Sequence, residues 1–159
     1  MLPLLLSALL TTLPALNFAG LEGPDLTAQQ LRGRPVVLQF WASWCQSCAG
    51  VGAEVSQALA ETSSSARYLA VSTDETIEAA RRGAARLGHK TSPGVVYVFD
   101  RDHQASLALG DVSVPTVLVI DRNGLVVARI VGHFDAAQRG ELRAALHKAA
   151  ASAAPQGGS

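Results

Sequence analysis

Trp41-Ala42-Ser43-Trp44-Cys45-Gln46-Ser47-Cys48 holds both cysteines of the 159-residue chain, with two residues between them. An apolar run, Val36-Val37-Leu38 and Phe40, leads into it, and Cys48, Val51, Val55 and Leu59 leave it at spacings of three and four. The run before the cysteines lacks alternation, as in a strand buried on both faces, whereas the residues after them line one face of a helix. This order places Cys45 at the first turn of a helix, where unpaired N–H groups and the helix dipole favour a thiolate. Cys48 lies one turn further in and can close a disulfide on Cys45 with little backbone movement.

Three chemistries use such a pair. Tetrahedral zinc needs four ligands. There is no second cysteine pair, and His89, His103, His133 and His147 are scattered without short ligand spacing. A purely structural disulfide is a poor use of so short a loop, because a staple gains from the length of chain it closes. Reversible disulfide exchange is the favoured reading.

Working outward, Ala15–Leu21 reads as a short edge strand broken by Glu22-Gly23-Pro24, and Thr27–Leu31 as about one helical turn. Beyond the cysteine helix, ended by Ser63-Ser64-Ser65, come a strand over Tyr68–Ser72 and a helix over Thr76–Leu87. Thr73-Asp74 stand as its caps and Gly88 closes it. His89–Gly94 is a loop, Val95–Phe99 a strand, and Gln104–Leu109 a short helix stopped by Gly110. Thr116–Ile120 and Leu125–Val131 form a hairpin through Asp121-Arg122-Asn123-Gly124, whose Asn-Gly pair suits positive φ. Asp135–Ala151 is the last helix, and residues 152–159 form a frayed tail. The alternation of strands and helices, ending in an antiparallel hairpin, predicts an α/β fold: a mixed central sheet flanked by helices.

Composition agrees with one domain that has a sizeable core. Apolar residues make up 48% of the chain and aromatics only 5%, and thirteen basic residues balance thirteen acidic ones. With no run of either sign, nothing points to nucleic acid or an anionic membrane surface. The leucine-rich stretch Leu2–Leu16 precedes the first charge, Glu22. It resembles a signal-peptide core or truncated anchor, although it lacks a leading Lys or Arg and is shorter than the ~20 residues of a full span. The expected division is an apolar remnant over 1–14, a domain over 15–151 and a tail over 152–159.

Two stretches carry a family resemblance. LRGRPVVLQFWASWCQSC (31–48) is similar to the thioredoxin superfamily, specifically its TlpA/ResA-like branch of extracytoplasmic thiol–disulfide oxidoreductases. GDVSVPTVLVIDRNGLVVARIVG (110–132) resembles the cis-proline strand, hairpin and closing glycine of the same fold. The resemblance implies a thioredoxin fold with an N-terminal extension and an inserted βα unit. It makes Cys45 the nucleophile, Cys48 the buried resolving thiol, and the pair a redox-active disulfide. It also places Trp44 at the exposed rim and Trp41 beside the pair. A cis Val114–Pro115 bond would offer the Val114 backbone to a bound client peptide, against a base rate of about 5–6% cis.

Further expectations come with the resemblance: protein thiol or disulfide clients, a membrane electron donor, location outside the cytoplasm, a monomer, no cofactor and no resident metal. The favoured direction is reduction, with cytochrome c maturation-type or periplasmic clients. The rivals are a disulfide-donating oxidase and a Cu(I)-handling thiol pair. The chain also departs from the pattern. Gln46-Ser47 lacks the proline or histidine that mark reducing or oxidising relatives. Thioredoxin's buried aspartate is replaced by Gln39 and the ResA-like glutamate by Val51. Glu54 lies a turn too far along the helix to substitute, and His133 reads as a surface residue.

Overall fold

The computed structural model describes residues 16–86 and 94–152. The expected apolar remnant over 1–14, the residues 87–93 that hold the expected helix stop and most of the following loop, and the tail from 153 onward lie outside the described residues. The elements, in chain order, are β1 (Asn17–Gly20), β2 (Leu26–Thr27), α1 (Ala28–Leu31), β3 (Val36–Trp41), α2 (Cys48–Glu61), β4 (Arg67–Ser72) and α3 (Ile77–Arg86). Then come β5 (Val95–Phe99), a 3-10 turn (Arg101–His103), α4 (Gln104–Ala108), β6 (Thr116–Ile120), β7 (Val126–Val131) and α5 (Ala136–Ala151).

The seven strands form one sheet in the order β2-β1-β5-β4-β3-β6-β7. β3 pairs in parallel with β4 and β4 with β5, while β1, β6 and β7 join antiparallel. Every residue of β3 is buried, Gln39 included, as its mostly apolar run without alternation leads one to expect. Side chains alternate between two faces. Val36, Leu38 and Phe40 pack with Phe18, Leu31, Ala105 and Leu109 from one side. Val37 packs with Val51 and Val55 of α2 and Leu142 and Leu146 of α5 on the other. Right-handed crossovers carry α2 and α3 over the same face, and α4 crosses the opposite one before β6 returns beside β3. The fold is thus the mixed, helix-flanked sheet expected.

β1 is not the sheet edge. β2 folds back onto it, with Asn17 opposite Thr27, and the Gly20 N–H donates to the Asp25 carboxylate at 3.0 Å to hold the turn. Two residues of strand are invisible to periodicity and cover the edge all the same. The hairpin turn closes as its Asn-Gly pair requires, with Gly124 at φ 84° and Asp121 accepting from the N–H groups of Asn123 and Leu125. Asp135 caps α5 through Ala137 and Gln138, with Gln138 reaching back in a capping box. At the top of the sheet, the carboxyl ends of β3, β4 and β5 meet the start of β6, the usual place for a site in such a sheet.

Candidate active site

Cys45 and Cys48 form a disulfide with their Cα atoms 5.5 Å apart. α2 begins at Cys48, so Cys45 lies ahead of the helix in a turn rather than in its first turn. The Cys45 N–H donates to the Ala42 carbonyl at 3.0 Å and the Cys48 N–H to the Cys45 carbonyl at 3.4 Å. Ser47, exposed beside the pair, places its hydroxyl 3.8 Å from the Cys45 sulfur. A disulfide sulfur carries no hydrogen, so that weak contact is donated by the serine.

Cys48 is fully buried, but Cys45, expected at an exposed end, is only 6% accessible in the disulfide. Both sulfurs belong to a cluster with Trp41, Leu21, Ala70, Ala80 and Phe99, and Val114 packs against it. Trp41 is buried beside them, edge-on to Tyr97 with ring centroids 6.4 Å apart. Trp44 is 70% exposed, the most open large apolar side chain of the described residues. Val114–Pro115 is cis, and the Pro115 carbonyl accepts from the Gly132 N–H at 2.9 Å, which ties this loop to the end of β7. Trp44 and Val114 line a surface groove of about 570 Å³ with Thr73, Glu75, Leu107 and Asp111. Leu107 is itself 60% exposed.

The expected departures have structural answers. Gln39 is fully buried. Its Nε2 donates to the Cys48 carbonyl at 2.8 Å, and the Tyr68 hydroxyl donates to its Oε1. A carbonyl only accepts, so the amide must turn its NH₂ toward Cys48 and its oxygen toward the phenol. Burial, with a smaller contribution from Tyr97, pushes the Tyr68 phenol well above its ordinary range, so it stays a neutral donor. Gly52 keeps this corner open, because a Cβ there would stand 3.2 Å from the Gln39 oxygen. Val51 is core, packed with Val37, Val55 and Val117. Glu54 turns away to α5, where Arg139 Nε meets its carboxylate at 2.8 Å. His133 is exposed, as a surface residue.

Sequence reasoning missed one group. Asp74 does not cap α3; Thr76 does, its hydroxyl accepting from the Ala79 N–H at 3.2 Å. Asp74 is 4% exposed and faces the cysteine loop. It accepts from the Ser43 N–H at 3.0 Å, the Ser43 hydroxyl at 2.6 Å and the Ser72 hydroxyl at 2.7 Å. The only trace in the sequence is a Ser-x-Asp at a strand end, which says nothing about a partner thirty-one residues away. Among the described residues, no group of three or more His, Cys, Asp or Glu side chains is placed to hold a metal ion.

A thioredoxin-type sheet, a Cys-x-x-Cys disulfide at the carboxyl end of its central strand and a cis-proline loop alongside define the class of this molecule. The chain belongs to the Redoxin family, whose model matches residues 11–146, and sits in the TlpA/ResA-like branch of the thioredoxin superfamily. It is 31% identical to the thiol-disulfide oxidoreductase ResA of Geobacillus thermodenitrificans over 77% of this chain and 68% of that protein. It is 28% identical to the thiol:disulfide interchange protein DsbE of Allochromatium vinosum over 77% of this chain and 66% of that one, so it spans just under two thirds of the latter's length. The crystal structure of a putative DsbE from Chlorobium tepidum superposes with a TM-score of 0.72 at 27% identity, covering 87% of this chain and 94% of that one. No helix among the described residues is long and apolar enough to cross a membrane.

Proposed function

We propose that this protein exchanges disulfides with other proteins outside the cytoplasm, acting as a monomeric reductase fed by a membrane electron donor. The observation that carries the reading is the Cys45–Cys48 disulfide beside the cis Val114–Pro115 loop. In the reduced form, the Cys45 thiolate attacks one sulfur of a client disulfide and the other client sulfur leaves as a thiolate, which takes a proton. Cys48 then loses its proton and attacks the Cys45 sulfur. The client's second thiol is released and the protein keeps the disulfide, so two electrons have passed to the client. Trp44 and the Val114 backbone seat the client segment across the groove, and the Ser47 hydroxyl stands by the Cys45 sulfur. The resemblance to the TlpA/ResA branch supports the reducing direction and cytochrome c maturation-type or periplasmic clients. The rival direction, donation of the disulfide, runs the same steps backwards.

The test is a trap. Cys48→Ser should accumulate a mixed disulfide with client, identified by mass spectrometry, and Cys45→Ser should accumulate none. A Cys48→Ser protein that turns over like the parent would remove the resolving role. A redox titration of the parent against glutathione and dithiothreitol sets the direction. A stoichiometric, tight Cu(I) site that raises Tm would favour metal handling instead.

A further inference from the structure

Ser43 stands two residues before Cys45, and the β4–α3 unit takes hold of every polar group it has. Its N–H and hydroxyl go to the Asp74 carboxylate, and its carbonyl accepts from Arg86 Nη2 at 2.5 Å. The Asp74 carboxylate is itself oriented by the Ser72 hydroxyl, at the end of β4. Beside them, the Thr73 N–H donates to the Trp41 carbonyl at 2.9 Å, locking the last residue of β3 to the same segment. α3 can come this close only because residue 83 is glycine: a Cβ there would lie 2.6 Å from the Ser43 Cβ and 3.2 Å from the Trp41 ring. An ordinary turn residue on a mobile loop does not have all three of its polar groups bound by one distant segment.

We propose that Asp74 and Arg86 are positioning residues for the exchange reaction: they clamp Ser43, and so set both the place and the charge environment of the Cys45 sulfur. The inference rests on the exchange reading above and adds to it a role for the β4–α3 unit. A buried carboxylate bonded to the residue two before Cys45 opposes the thiolate, and a guanidinium bonded to the carbonyl of that same residue favours it. Other charged or titratable groups on the elements packed against this corner are Cys48 in the same turn, Arg81 of α3, which donates to the Leu21 carbonyl at 3.0 Å, Tyr97 against Trp41, and Glu75, Asp102, His103 and Asp111 around the adjoining groove. Asp74 and Arg86 are hydrogen-bonded to the cysteine loop itself, at Ser43.

The experiment titrates Cys45 in the reduced full chain by thiolate absorbance at 240 nm, with attack on 5,5′-dithiobis(2-nitrobenzoate) as a second readout. There the Cys45 thiolate displaces one thionitrobenzoate, and Cys48 then displaces the other. Asp74→Asn should lower the apparent pKa of Cys45 and Arg86→Gln should raise it, each by roughly 0.5 unit. Arg86→Lys, which keeps the charge and a donor, should restore the parent value. Opposite signs from two partners of one residue are not expected of mere structural support. If Arg86→Gln leaves the titration unmoved, or both variants shift it the same way, the proposal is overturned. Should Asp74→Asn fail to fold, the exposed Arg86 and its lysine rescue decide alone. The titration needs no client, so the two failures are distinguishable: a failed client trap counts against the exchange reading, and an unmoved titration counts against the clamp.

Discussion

The two cysteines, three residues apart, are supported in opposite ways. The Cys45 side is held by ionised groups: the loop before it hangs on a buried carboxylate and an arginine. The Cys48 side is held by neutral ones, a buried amide and a phenol that cannot ionise in the working range, with an apolar valine one turn on. The difference teaches where pH sensitivity resides. Cys45 has charges arranged around its loop, whereas Cys48 is fully buried and, among the described residues, the side chain bonded to its carbonyl is the neutral amide of Gln39 rather than a carboxylate. Desolvation raises a thiol's pKa, so on the exchange reading proposed above a resolving step at Cys48 would depend on solvent or on the leaving client thiolate for proton transfer.

The largest test of this contrast removes the neutral support. Gln39→Leu strips the donor from the Cys48 carbonyl and leaves the buried Tyr68 hydroxyl without its acceptor. It should lower stability by about 2–3 kcal/mol in urea unfolding, because a stranded buried polar group costs its full desolvation. The double variant Gln39→Leu/Tyr68→Phe should recover part of that loss. A single variant as stable as the parent would mean the amide is not holding Cys48.

Next in size is a change of the resolving step. In the parent, decay of a Cys45 mixed disulfide should rise about tenfold per pH unit until Cys48 ionises, each factor worth about 1.4 kcal/mol. Gln39→Glu places a proton acceptor beside Cys48 and should speed decay roughly tenfold at pH 6, converging on the parent near pH 9. Stopped-flow decay against pH measures both. A parent profile flat from acid to alkaline pH would reveal an acceptor on the protein.

The smallest effect is expected at Glu54. Its bond to Arg139 is partly exposed, with side-chain accessibilities of 24% and 43%, so solvent screening limits the pair to under about 1 kcal/mol. Glu54→Gln should change mixed-disulfide decay less than about twofold at any pH, since its carboxylate is turned to α5. A larger change confined to low pH would make Glu54 the acceptor after all.

What the sequence by itself determined is local: the buried run Val36–Trp41, the helical spacing after Cys48, the Asn-Gly turn and the proline at the entry to β6. Each is written in residues a few positions apart, where strand and helix periods and turn chemistry act. The cysteine pair was legible for the same reason, as identities at a fixed offset, whereas the two missing carboxylates showed only against the pattern of the family the chain resembles. What only the tertiary structure decided is who meets across the crossovers. Capping chemistry reads Asp74 as a helix cap, and nothing in the sequence says what Gly83 faces. It is the parallel pairing of β3 with β4, placing Trp41 opposite Ser72, that brings both against Ser43. Cys45's burial and Gln39's choice of Cys48 and Tyr68 as partners have the same origin. A side chain's offset along the chain sets its face, but its partner depends on which strands lie side by side, and that is settled by packing the whole sheet at once.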